Sequence, residues 1–376
     1  MRVHTQNVSC FLIIFTLLGC GSGDDAPEIP TGPSELNFNS YVISETFNGA
    51  SYMVIGIEEH GYLAAFKSEL SDGTAISLET TLENWPNIFS DETGSFYDFM
   101  GRGISGPNAG KQLLSMESQL GFWFSINATF PTAVYPETAV NRTLPLVQSA
   151  EWNIDPNTVV SGALRDAIPA LNHPEFISAN DEQIIENEDY MDPNDRVLIV
   201  ANEQVTKIYP YKILDRHEIV NDMLGDEPIV VSYCPLTGTG TVWSARINNR
   251  DLEFGVSGLL SESNLILYDR STESYWSQIR KEAVFGEFKD SQPVLFPHQE
   301  TLWSSVQNLP NLENVEVLSL NTGFDYNYDF YPYGDYRTAN NLIFFPTTYS
   351  DNRVPAKEIV LGVIVNGEAK VYRFSN

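Results

Sequence analysis

Apolar positions along this chain come in short runs rich in Val, Ile, Tyr, Phe and Thr, and Gly, Pro, Asn and Asp break them. SYMVIGI (51–57), RVLIVAN (196–202), PIVVSYC (228–234), LILYD (265–269) and EIVLGVIV (358–365) have the length and residue type of strands. A helical period is rare. The segments that suggest one are SGALRDAIPAL (161–171), which contains a proline, and GKQLLSMESQLGFWFSI (110–126). The pattern therefore predicts a mainly β protein with minor helix. The acidic stretch 172–195 reads as a connector between an N-terminal half, 37–171, and a C-terminal half, 196–376.

The two halves echo each other. IGIEEHGYLAAFKSELSDG (55–73) aligns with SYCPLTGTGTVWSARINNR (232–250), and DETGSFYDFMGRGISG (91–106) with DRSTESYWSQIRKEAVFG (269–286). A second pair lies within the C-terminal half: VLIVANEQVTKIYPY (197–211) aligns with VLGVIVNGEAKVYRF (360–374), placing Lys207 opposite Lys370 and Tyr209 opposite Tyr372. The expectation is two related β-rich halves from an internal duplication. Unrelated hairpins also share turn chemistry, so the alternative stays open here.

Arg2 and His4 open a weakly basic start before FLIIFTLL (11–18), an apolar stretch shorter than the ~20 residues that span a bilayer. It runs into Leu17-Leu18-Gly19-Cys20, which resembles the bacterial lipobox. That resemblance implies a lipoprotein signal peptide over 1–19 and acylation of Cys20. A flexible tether over 20–36 and export to the bacterial cell envelope follow, with the lipid bilayer as partner. An ordinary signal peptide would leave Cys20 incidental. With Cys10 in the signal and Cys20 lipidated, Cys234 is the one thiol left, so no internal disulfide can form.

Charge narrows the partners. Fifty acidic residues against 21 basic ones give a formal net charge of −29, a field that repels phosphate backbones and excludes nucleic acid. Two calcium- or phosphate-like patterns fail on spacing. GPNAGKQ lacks a P-loop residue and its Ser/Thr, and DYNYDFYPYGDY has no glycine and no bidentate glutamate where a calcium loop needs them. Its tyrosines read instead as an ordered loop lining a cleft.

ILDRHEIVND, VVSYCPLTGTG, FGVSGLL, LILYDRSTESYWSQ, YPYGDY and KEIVLGV, in that order, resemble the domain-of-unknown-function 3179 family of bacteria and archaea, from about Arg196 to the C-terminus. The resemblance implies an often exported protein whose activity is unassigned. The family's strand often ends in Cys-Pro-Leu-Cys. Thr237 stands at the second cysteine here, so a two-thiol role does not carry over.

Cys234 is then either a packed thiol or a nucleophile, for which His217 is the natural partner, since HEIVND precedes the strand by only a short turn. HEIVN lacks the second histidine of a zinc-protease helix, since Asn221 occupies it. A looser set of His217, Glu218 or Asp222, and Cys234 would suit zinc or copper, with no metal ligand assured. In DRSTESYWSQ, Asp269 and Thr272 suit a turn, while Arg270 and Trp276 are the stronger ligand-binding candidates, beside Asp269 and Glu218. Two function classes stand. One is a lipid-anchored envelope protein binding a small ligand, glycan or protein in an acidic, aromatic-lined cleft. The other is a thiol- or metal-dependent enzyme or metal protein centred on His217 and Cys234.

Overall fold

The structure is a computed structural model that describes residues 40–81, 87–135, 151–185, 190–307, 309 and 312–374. The expected signal peptide, the tether and Cys20 lie outside the described residues. Strand dominates, and among the described residues the longest helices, Trp123–Thr129 and Tyr211–His217, have seven residues each. The protein is mainly β, as the apolar pattern predicts. All five strand-like runs are strands: Ala50–Ile57, Arg196–Ala201, Glu227–Cys234, Asn264–Asp269 and Ile359–Val365.

Both expected helices need correction. Residues 162–170 form turns and bends between strands Val159–Ser161 and Leu171–Asn172, because Gly162 and Ala163 donate their N–H groups to Gly258 O and Asp166 adopts φ 55°. Residues 110–126 divide into strand Leu113–Ser115, strand Ser118–Phe122 and only then the Trp123 helix. Ser118–Phe122 is claimed by a remote partner, since it pairs antiparallel with Ile359–Val365. Long-range ladders of this kind override local propensity. The acidic stretch after 171 is woven into sheets as well: Leu171–Asn172 pairs parallel with Ile219–Leu224, and Phe176–Ser178 pairs antiparallel with Val315–Leu318.

Two sheets repeat one arrangement. The hairpin Arg196–Ala201/Thr206–Pro210 is edged by His298–Leu302, which leads into a helix at Trp303. The hairpin Ile359–Val365/Glu368–Arg373 is edged by Ser118–Phe122, which leads into the helix at Trp123. On the first hairpin Lys207 Nζ and Tyr209 Oη donate to Asp222, the latter at 2.7 Å. On the second, Lys370 and Tyr372 donate to Glu45.

Two turns also match. Asp91 accepts from Thr93 N, Thr93 Oγ1 and Tyr97 Oη, while Asp269 accepts from Thr272 N, Thr272 Oγ1 and Trp276 Nε1. Gly106 and Gly286 close these turns at positive φ. A Cβ at either would fall 2.5–2.7 Å from the backbone of Ser95 or Ser274. Trp243, Phe254, Trp276 and Tyr336 share a core with Cys234. No helix of the described residues is long and apolar enough to cross a membrane.

Candidate functional site

PIVVSYC is buried on both faces, which is why it reads as a continuous apolar run and not as an alternating one. Ile219–Leu224 flanks it on one side and Thr239–Ser244 on the other, with Cys234 opposite Thr239. Pro235 ends the ladder. Thr237 N and Gly238 N then turn back onto Cys234 O at 3.2 and 2.8 Å, and Gly238 takes φ 64° against the ring of Phe122.

Gln278 braces this hairpin. It accepts from Thr239 Oγ1 and Asn264 Nδ2 at 2.7 Å each and donates to Thr239 O at 2.8 Å. Thr237 lies wholly buried in the same network.

A helix of seven residues supplies the next group. It follows Pro210 and ends at Glu218, whose φ 58° and ψ −32° lie outside the regions open to residues with a Cβ. Such strain costs on the order of 1–3 kcal/mol and persists only where surroundings over-determine it. Here Glu218 N donates to Leu214 O and Glu218 O accepts from Tyr233 N, each at 2.8 Å, so the carboxyl is pinned beside the end of the Cys234 strand.

Residues 319–358 form the roof. This segment holds one helical turn, Gly334–Arg337, and no strand. Long ordered loops of this kind usually serve function. Tyr333 reaches down to Glu218 at 3.4 Å, and Arg337 Nη2 grips both oxygens of Asp215 at 2.5 and 2.6 Å while its guanidinium lies 3.9 Å over Tyr331.

Lys357 enters where the segment meets the last hairpin. It is 6% exposed, and among the described residues its Nζ has no hydrogen-bond partner. Nζ sits 3.1 Å from the ring centre of Tyr336, with Phe124 and Phe122 at 4.7 and 5.1 Å.

Burial governs the protonation of this cluster. It pushes Glu218 up to about 8, helped by nearby Asp215, and lifts Asp215 to about 6 despite Arg337. It raises the Cys234 thiol to about 11, with the charge of Glu218 adding to the effect. It lowers Lys357 to about 7.

Beside the cluster opens a cleft of about 710 Å³, walled by Phe122, Tyr211, Tyr233, Tyr331, Arg337 and Lys357. Its other cations are paired: Lys212 with Asp195 and Asp329, Arg196 with Glu300 and Arg337 with Asp215.

The structure places the sequence candidates unevenly. Glu218 and Cys234 lie together as neighbours in charge. His217 does not serve the thiol: Nδ1 meets Pro169 O at 2.8 Å and Nε2 meets Tyr328 Oη at 2.7 Å, so both ring nitrogens are engaged elsewhere. Asp222 is taken by Lys207 and Tyr209. The looser zinc or copper set on His217 and Cys234 is therefore not assembled, and the described residues hold no group of three His, Cys, Asp or Glu able to bind a metal.

Asp269 and Trp276 are fully buried, one organising its turn and the other filling the core. Arg270 pairs with Asp166 at 2.9 and 3.0 Å and with Glu253 at 2.9 Å. These three brace structure instead of facing a ligand.

Sequence reasoning missed Lys357, Asp215 and Arg337. The tyrosine-rich run pointed to a lining loop, whereas nothing in VPAKEI marks its lysine as unpaired.

Residues 165–376, more than half of the chain, match the model of the family described as protein of unknown function (DUF3179), and the chain belongs to that family. The match covers Asp215, Glu218, Cys234, Arg337 and Lys357. No curated protein and no solved structure matches the chain.

Proposed function

We propose that this protein is an exported, lipid-anchored protein of the bacterial cell envelope that holds a small ligand in the cleft beside Cys234. The ligand has a planar body that lies against Phe122, Tyr233 and Tyr331, and a carbonyl or carboxylate oxygen that accepts a hydrogen bond from Lys357 Nζ. The observation that carries this reading is the unpaired, buried nitrogen of Lys357 on the wall of a cleft whose other cations are neutralised. An unmet buried donor costs about 1–3 kcal/mol, which a ligand oxygen recovers. A volume of several hundred Å³ suits such a molecule.

Benzamide is a suitable probe, being planar, neutral and bearing a carbonyl oxygen. Titration calorimetry on the full-length protein is expected to show saturable binding that Lys357→Met weakens at least tenfold. Absence of saturable binding, or equal binding by the variant, would overturn the reading.

The anchor rests on Leu17-Leu18-Gly19-Cys20 followed by the Gly/Ser/acid tract. Cells fed an alkyne fatty acid should label the protein, and Cys20→Ser should abolish the label; an unchanged label would end the anchor.

The matching Asp91 and Asp269 turns, and the matching Lys-Tyr-carboxylate sets on Glu45 and Asp222, support an internal duplication. In that duplication only the C-terminal unit keeps a thiol. An experimental structure in which the two units failed to superpose would count against it.

A further inference from the structure

We propose that Lys357 is the nucleophilic amine of a carbonyl-binding site, condensing with an aldehyde or ketone held in the cleft to form an imine. This rests on the cleft being a ligand site and names the class of ligand. Three features carry it. Lys357 lines the cleft, its buried Nζ has no hydrogen-bond partner among the described residues, and that nitrogen is packed against the rings of Tyr336, Phe124 and Phe122. An amine held by apolar and aromatic walls loses the hydration that favours its ammonium form, so its lone pair is free near neutral pH, as its lowered pKa agrees. A lysine kept for structure would instead be expected to meet a carboxylate, as Lys207 and Lys370 do.

The step balances without a co-reactant. The amine lone pair forms a C–N bond to the carbonyl carbon, and the carbonyl π pair moves to oxygen, which takes a proton while the new ammonium nitrogen gives one up, leaving a carbinolamine. The regained nitrogen lone pair then expels that hydroxyl, which takes a second proton and leaves as water, and the nitrogen sheds its remaining proton to leave C=N. Cys234, which interacts electrostatically with Lys357, holds its proton near neutral pH, its thiol being pushed by burial up to about 11. Of the cleft's remaining charges, Arg337 is engaged with Asp215, Arg196 with Glu300, Lys212 with Asp195 and Asp329, and Asp192 with the Asn194 N–H, while Glu358 beside Lys357 is held by Arg373. The pH response is therefore assigned to the amine itself.

The test treats the full-length protein with benzaldehyde and cyanoborohydride, then maps benzylated lysines by mass spectrometry. At pH 7.5 Lys357 is expected to be modified at least tenfold faster than any exposed lysine, to be protected by benzamide, and to show a rate that rises through about pH 7 and then levels. Arg270→Ala, at a surface ion pair with Asp166, should retain the modification, and Lys357→Met should lose the fast phase. Modification spread over surface lysines while Lys357 lags, or a fast phase that survives Lys357→Met, would overturn the proposal. Benzamide binding without fast modification would sink the imine and leave the cleft reading standing; failure of both would sink both.

Discussion

Lys357 Nζ lies 3.1 Å from the centre of the Tyr336 ring, and this nitrogen has no hydrogen-bond partner among the described residues. A flexible amine this well buried is costly to keep, and the aromatic face returns only part of the lost hydration. Lys357→Met keeps the length and removes the polar end. We expect the variant to be as stable as the parent or more stable by about 1 kcal/mol, while losing benzamide binding. Chemical denaturation checks the first part and calorimetry the second; a large loss of stability would mean that the amine has a structural partner.

The buried acid beside the thiol sets a pH trend. Folding raises Glu218 from 4.5 to about 8, so the native state holds a proton that the unfolded chain has lost between those values. The stability due to this group is fully present below pH 4.5 and disappears as pH climbs through about 8. Glu218→Gln is neutral throughout. Its stability relative to the parent should therefore improve steadily from pH 5 to pH 9, read from urea midpoints. A flat difference would show that Glu218 titrates normally.

Asp215 and Arg337 form a buried electrostatic link between the roof and the helix before Glu218. Arg337→Leu leaves a carboxyl that is 4% exposed without its cation. The loss should be about 3 kcal/mol at pH 8. It should shrink toward pH 5, because Asp215 already sits near 6 and protonates once the guanidinium is gone. Asp215→Asn in the same background should restore part of the loss.

Asp269 and Arg270 stand next to each other and should behave in opposite ways. Asp269→Ala removes an acceptor shared by two backbone N–H groups, the Thr272 hydroxyl and the Trp276 indole, all within the fold. A cost of about 2–4 kcal/mol is expected. Arg270→Ala breaks surface pairs with Asp166 and Glu253 and should cost less than about 1 kcal/mol. Neither change should alter benzamide binding, and a selective loss of binding in Arg270→Ala would return it to the list of ligand contacts.

Much of the architecture was legible in the residue pattern because strands and turns are local matters. Valine- and isoleucine-rich runs had to be buried strands. DETGS and DRSTES had to be turns organised by an aspartate, since Asp and Thr bond nearby backbone wherever they occur. The order of motifs from ILDRHEIVND to KEIVLGV was enough to point to the family. The same local reasoning failed at 110–126, where a remote hairpin captured Ser118–Phe122 as a strand.

The site itself belonged to tertiary structure. His217 and Cys234 looked like partners because they are close in sequence, yet the ring faces Pro169 and Tyr328. Sequence alone could identify Cys234 as the only cysteine beyond Cys20. Only the folded chain could bring Lys357 into its electrostatic reach, bury Glu218 behind Tyr333 and leave one amine unpaired on a cleft wall. Residue type states which charge a group can carry. Whether water, a counter-ion or an aromatic ring surrounds it depends on segments far apart in the chain, and that environment decides its chemistry.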